Sequence, residues 1–507
     1  MQYNFQVDII GGEYWWGGLV ADGTLMPFSG DELERSLCPI STENQTMPFL
    51  ISNKGRYIWC NEPFDFKFAA DKLYVSSRYD EIILSEGHTS LKRAYLDASK
   101  KFFPVSASLP EKRLFTHPQY NTWIELMYDQ TQEKIHKYAS DIIKKGYPSG
   151  VLMIDDNWQE DYGVFSFHQG RFKDPKRLID QLHEMGFLVM LWVSPFVSPD
   201  CMVFRELEAK NMLVKDAAGN TAIRRWWNGF SGILDLTNPA TENWLKQELD
   251  SLMETYGIDG FKFDAGDPQY YSDEDMIYSP GNAQKQCNAY NRFGAQYTLN
   301  EFRGAFKAAG LPLVQRLCDK SHTWVGNGLD TLIPNGLAQG LMGYIYTCPD
   351  MIGGGQYLNF LPESLNIDEE LVVRYAQCSA LFPMMQFSVA PWRVLSPAND
   401  KICLNMAKLH EQFGDYILDV TMSSGQSGEP IMRHLAYAYG EGYEHVRDQF
   451  LIGDQLMVAP VITKQTFNRE VLIPEGQWKA DDDMVYNGPT RITIDVPLER
   501  LPYFIKC

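Results

Sequence analysis

From about Phe115 onward the chain alternates between stretches with the 3.6-residue apolar period of a helix and short, nearly continuous apolar runs. Residues 129–145 have helical spacing and lead into the run 150–154, and residues 175–185 lead into 187–193. A third helix, 239–256, opens on the start signal Thr237-Asn238-Pro239 and leads into 260–263. A strand covered on both faces reads as a continuous apolar run, and parallel strands need a crossover, usually helical, between them. The alternation therefore predicts βα units around a parallel sheet. A doubly wound sheet would carry a glycine-rich phosphate turn after its first strand, and none is present. The rhythm runs for roughly 300 residues, the size of a (β/α)₈ barrel with insertions.

The flanks read differently. Residues 3–10, 57–60, 64–68 and 73–75 are short β-branched and aromatic runs punctuated by Gly, Pro, Asn and Asp, and 456–461, 470–473, 491–496 and 502–505 repeat that pattern at the other end. The expected fold is α/β: a (β/α)₈ TIM barrel at 109–438, an N-terminal β-domain at 1–108 and a C-terminal β-sandwich at 439–507.

Charge narrows the function. The 507 residues carry a formal net charge of −20, which argues against nucleic acid or an anionic membrane surface as partner. No stretch approaches the ~18 consecutive apolar residues of a membrane span. Residues 1–5 show neither a basic region nor a long apolar one, so a cytoplasmic location is expected, with the nine cysteines as reduced, mostly buried thiols. Self-association into a homo-oligomer is left open by the sequence.

Acidic residues close several of the apolar runs. Asp155 and Asp156 follow 151–154, Asp264 follows 260–263, Asp319 follows 313–318, and Asp350 follows 343–349. An aspartate in that place can simply cap the next helix. Four such sites, with Lys262 and Arg316 close by in the same strands, point instead to one polar pocket at the C-terminal face of a barrel. Metal hydrolysis would want histidine ligands, but the nine histidines form no HxH or HExxH pattern, and no GxSxG elbow is present for a serine nucleophile. Glycoside hydrolysis needs two carboxyl groups and aromatic faces for the sugar. Trp15, Trp16, Trp158, Trp192, Trp226, Trp227 and Trp324 lie near expected strand ends or loops. No metal or cofactor is needed for that chemistry.

Seven motifs, in order along the chain, resemble glycoside hydrolase family 31. Gly11-Gly12-Glu13-Tyr14-Trp15-Trp16-Gly17-Gly18 resembles the close of that family's N-terminal β-domain, and Ile154-Asp155-Asp156 its second barrel strand. Trp227, ahead of Asp235, resembles its substrate-loop tryptophan. Phe261-Lys262-Phe263-Asp264-Ala265-Gly266 resembles the nucleophile motif, Asp319-Lys320-Ser321-His322-Thr323-Trp324 the acid/base segment, and Asp350-Met351-Ile352-Gly353-Gly354 a further sugar-binding strand end. Residues 450–461 resemble the C-terminal β-sandwich.

The resemblance implies a retaining α-glycosidase acting on a small α-glycoside or oligosaccharide, with Asp264 as nucleophile and Asp319 as acid/base. It implies substrate contacts from Asp155, Asp156, Trp192, Trp227, Lys262, Arg316 and Asp350. Two departures from the family's α-glucosidase pattern stand out. Ala265-Gly266-Asp267 replaces Met-Asn-Glu after the nucleophile, and Gln386-Phe387-Ser388 stands where Arg-x-His is expected. Both fit a branch of the family that acts on α-galactosides. An α-glucosidase, an α-xylosidase and a sugar-binding homologue without activity are the alternatives.

Overall fold

The computed structural model describes residues 2–30, 32–38, 44–361 and 366–507. Eight parallel strands form the barrel: β1 (Gln119–Asn121), β2 (Val151–Ile154), β3 (Leu188–Val193), β4 (Gly260–Phe263), β5 (Asn300–Phe302), β6 (Gln315–Arg316), β7 (Thr347–Cys348) and β8 (Gln386–Phe387). Hydrogen bonding runs in the order β7-β6-β5-β4-β3-β2-β1-β8. The Ile352 N–H just past β7 donates to the Gln386 carbonyl at 2.9 Å and draws the two free edges together.

The helices around the barrel start where side chains satisfy otherwise unpaired N–H groups. Thr131, Asp174 and Asn238 cap Gln132–Lys144, Pro175–Glu184 and Pro239–Tyr256, and Gly257, at φ +82°, closes the last. An insertion after β3 adds the hairpin Arg224–Trp226 and Gly229–Ile233, whose turn presents Trp227 and Asn228. Pro397–Ser427 is a 31-residue helix unforeseen in the sequence.

Two four-stranded antiparallel sheets precede the barrel. The segment 11–18 does not close that region: Trp15–Leu19 is an early strand paired with Thr46–Ser52, and both Trp15 and Trp16 are buried in its core. This region also braces the barrel mouth. The Gln45 Nε2 donates to the carbonyls of Arg303 (2.6 Å) and Arg316 (2.9 Å), and the Asn44 Oδ1 accepts from the Cys318 N–H at 2.6 Å.

After the barrel comes a six-stranded antiparallel sheet that begins at Met432–Arg433. Arg374, buried on the barrel helix Glu369–Ala380, donates to the carbonyls of Thr466 and Val496, each at 3.1 Å. From the same helix, the Gln377 Nε2 donates to the Leu498 carbonyl at 2.6 Å. Among the described residues no helix is long and apolar enough to cross a membrane.

Candidate active site

Asp264 sits where β4 leaves the barrel. Its N–H still donates to the Val193 carbonyl at 2.8 Å, and the chain then turns sharply through Ala265 (φ +55°) and Gly266 (φ +73°). A left-handed alanine is uncommon and costs energy, so the surroundings must hold it. Here the Ala265 N–H donates to Asp264 Oδ1 at 2.9 Å, and the Tyr290 hydroxyl donates to the Asp264 carbonyl at 3.2 Å. A Cβ on Gly266 would lie 2.4 Å from the Tyr290 ring, so that position has no room for a side chain.

The Asp264 carboxyl is nearly enclosed. The Trp192 indole N–H donates to Oδ2 at 2.9 Å, Arg303 Nε lies 3.6 Å from Oδ1, and Lys262 Nζ lies 4.0 Å from Oδ2. Burial favours the neutral acid. The nearby charges of Arg303, Lys262 and Arg316, with the indole bond, outweigh burial and hold this carboxyl well below the usual range. Asp264 is thus an ionised, oriented carboxylate, the state a nucleophile needs.

The pair Asp155–Asp156 divides its duties. Asp155 Oδ2 accepts from Lys262 Nζ at 2.7 Å. Asp156 accepts from the Tyr162 hydroxyl at 3.0 Å and from Asn228 Nδ2, on the hairpin turn, at 2.6 Å. Burial and the charge of Asp155 push the Asp156 carboxyl up to about 7.

On the other side one guanidinium serves three carboxyls. Arg316 Nη1 reaches Asp350 Oδ1 at 2.7 Å and Asp319 Oδ1 at 2.9 Å, while Nε faces Glu301 Oε1 at 3.2 Å. Asp319 keeps 22% of its side chain exposed, whereas Asp350 has none. Asp350 accepts from the N–H groups of Lys320 (2.6 Å) and Gly355 (2.8 Å), so it ties two loops together beneath the pocket.

The pocket is lined by Asp155, Asp156, Trp192, Trp227, Lys262, Asp264, Arg316 and Asp319 from the sequence reading, together with Trp123, Arg303, Gln356 and Tyr357, which that reading missed. Asp350 lies one layer behind. Gln386 is buried inside the barrel, where its Nε2 donates to Glu301 Oε2 at 2.7 Å, and Ser388 Oγ donates to the Asn121 carbonyl at 2.9 Å; neither lines the pocket. Of the other tryptophans, Trp15, Trp16 and Trp158 are fully buried core residues, and Trp226 packs beneath the hairpin against Phe196. Trp324 bonds Asp368 instead. Trp227 is 41% exposed at the pocket rim, with the Arg303 guanidinium over its ring at 5.1 Å.

Two family models match in sequence: the TIM-barrel domain of glycosyl hydrolases family 31 over residues 114–419, and the C-terminal domain of the same family over 428–507. The chain belongs to glycoside hydrolase family 31. Among curated relatives, the mouse myogenesis-regulating glycosidase is 30% identical over 424 residues, covering 80% of this chain and 58% of the relative. Alpha-glucosidase 2 of Bacillus thermoamyloliquefaciens is 25% identical over 412 residues, covering 74% and 51%. This family 31 chain therefore spans between half and three-fifths of those relatives' lengths. A family 31 dextranase of Flavobacterium johnsoniae, solved with isomaltotriose, superposes with a TM-score of 0.87 at 20% identity, over 100% of this chain and 66% of that one.

Proposed function

We propose that the protein is a retaining exo-α-glycosidase whose preferred glycone is α-galactose. The carboxylate of Asp264 attacks the anomeric carbon as the bond to the leaving oxygen breaks, and Asp319 gives that oxygen its proton. Water then attacks the glycosyl-enzyme, Asp319 takes the water's proton, and Asp264 is released as carboxylate.

The observation that carries the reading is the contrast between the two catalytic aspartates. Asp264 has Arg303 at 3.6 Å, Lys262 at 4.0 Å and an indole N–H, with the charge of Arg316 acting from farther off, whereas Asp319 is partly exposed at the rim and pairs, among the described residues, with Arg316, which also serves Glu301 and Asp350. Seven carboxyl groups, those of Asp155, Asp156, Asp264, Asp267, Glu301, Asp319 and Asp350, stand among three cations, Lys262, Arg303 and Arg316. Burial, with the neighbouring carboxylates, pushes Asp156, Glu301 and Asp350 above the usual carboxyl range, so the negative charge of the pocket is held down at positions other than the nucleophile.

Two features support galactose. Asp155 and Asp156 line the same pocket and offer acceptors for adjacent ring hydroxyls, the axial one included. Strand β8 brings neither arginine nor histidine to that pocket, so the contact expected of the family's glucosidases is missing on that wall. A site built to bond a hydroxyl discriminates strongly when that bond is lost. The bacterial α-glucosidase among the relatives keeps an α-glucoside as the second reading. The test is kcat/KM for 4-nitrophenyl α-galactoside against the α-glucoside, with the product anomer followed by NMR. A higher value for the glucoside removes the galactose reading, and an inverted product removes double displacement.

A further inference from the structure

We propose that the terminal sheet joins two copies of this chain edge to edge, the strand Val485–Asp495 pairing antiparallel with itself about a two-fold axis at Thr493. The inference is independent of the sugar that the barrel accepts.

Val485–Asp495 is the last strand of the six-stranded sheet, and among the described residues it pairs on one side only, with Asn468–Ala480. Along an antiparallel strand, residues that bond across the ladder alternate with residues whose N–H and carbonyl point away from it. The contacts around this pair settle which set points away. Leu472 lies opposite Arg491, yet its N–H donates to Gln449 Oε1 at 3.1 Å and its carbonyl accepts from Gln449 Nε2 at 2.8 Å. The Val496 N–H donates inward to the Phe467 carbonyl at 2.7 Å, and the Asp495 carbonyl accepts from Arg500 Nη1 at 2.7 Å, outside the ladder. Arg491, Thr493 and Asp495 therefore turn their N–H groups to the free edge.

A free edge is a template for a further strand unless lysine, proline or a bulge guards it. Residues 490–495 contain no lysine or proline and keep an unbroken register. The sequence around Thr493 then selects the occupant. In Pro489-Thr490-Arg491-Ile492-Thr493-Ile494-Asp495-Val496-Pro497, a two-fold axis at Thr493 sets Thr493 against its own copy, Ile492 against Ile494, and Arg491 against Asp495 at both ends. Opposite charges directly across a ladder attract, and like charges repel. An axis at residue 491, 492, 494 or 495 sets Pro489 or Pro497 opposite one of the outward-facing residues, and proline has no N–H to give. Axes at 491 and 495 also set like charges face to face. The segment is thus complementary to itself in one register, the property that an isologous interface requires.

The side chains are placed for that register. Arg491, Thr493 and Asp495 are exposed on one face of the strand. The Asp495 carboxylate has no partner among the described residues, and Arg491 gives Glu470 only its Nη1, so the rest of the guanidinium is available to a second copy. On the other face Ile494 is buried in the apolar core of the sheet and Ile492 packs half-buried against it, so the second copy's isoleucines extend that core.

Sedimentation velocity of the whole chain, across a hundredfold range of concentration, should show a monomer–dimer equilibrium. Asp495→Arg sets arginine against arginine and should raise the dimer Kd about tenfold or more, and Arg491→Asp should do the same with aspartates. The double variant Arg491→Asp/Asp495→Arg exchanges the charges and should bring Kd back to within a few-fold of wild type. Thr493→Pro removes an outward N–H alone and should abolish the dimer while turnover per molecule stays unchanged. A wild type that is monomeric throughout the range overturns the proposal, as does a dimer whose Kd ignores the single charge variants. Single variants that weaken the dimer without restoration in the double variant overturn the axis at Thr493.

Discussion

The barrel interior and the core of the C-terminal sheet are buried to the same degree and built from opposite materials. In the sheet, Leu451, Met457, Val471, Trp478 and Phe504 pack together with almost no exposure and no charge among them. In the barrel, Lys262, Glu301, Arg316 and Asp350 are each 3% exposed or less. Burying apolar side chains stabilises a fold in proportion to area, whereas a buried ion pair seldom repays the desolvation of its charges. The sheet therefore supplies stability, and the barrel centre spends some of it to keep carboxyls oriented and out of water.

The largest effect that could break this division is at Asp264. Asp264→Asn should lower kcat by roughly 10³-fold or more while the melting temperature moves little, since Arg303 keeps Asp267 and Lys262 keeps Asp155. Turnover of an aryl glycoside and calorimetry check both halves, and near-normal turnover in a folded variant would remove Asp264 from its role. The converse substitution lies in the sheet. Trp478→Ala should cost about 3–5 kcal/mol of stability and leave kcat per folded molecule unaltered. Denaturant titration with active-site counting separates the two quantities.

Two smaller effects sharpen the contrast. Asp156 titrates near 7, so the folded chain keeps a proton that the unfolded chain, with an ordinary carboxyl, releases. Stability from this group is full below the ordinary carboxyl range and is lost as pH rises through about 7. Asp156→Asn should therefore gain stability relative to wild type between about pH 4 and 7, then hold a constant difference. Parallel melting curves that stay equidistant across that window would contradict it. Glu301→Gln removes one of the three carboxyls that share Arg316 and loosens the guanidinium that also holds Asp319 and Asp350. It should lower kcat/KM severalfold while the melting temperature moves little, with Glu301→Asp restoring part of the loss. An unchanged kcat/KM would make Glu301 a packing residue only.

The same contrast explains what could be read from the sequence. Strands β2, β3 and β4 are mostly apolar and were legible, and the helix Pro239–Tyr256 was legible to the residue. Strand β5, Asn300-Glu301-Phe302, was not, because the barrel interior turns its middle residue into an ion and breaks the apolar run. Arg303 was lost with it. Asp350 was found at a strand end, but depth is not a sequence property, and it lies behind Arg316 instead of at the surface of the pocket. Gln386, which stands where the family's arginine is expected, likewise belongs to the barrel interior and not to the pocket lining. Trp123 stands on the one-turn helix Thr122–Leu126, and Gln356 and Tyr357 at the start of a single 3₁₀ turn; segments this short carry no periodic signal, and only the folded chain brings them into the pocket with Asp319.

Arg374 joins the barrel to the terminal sheet through two backbone carbonyls of the latter. A cut between these regions would strand a buried cation in the wall of the barrel, so the barrel is not a detachable module. Exchanging this barrel for another must carry the terminal sheet along with Arg374. Residue 374 and the carbonyls of 466 and 496 thus make one heritable unit of what sequence alignment divides into two domains.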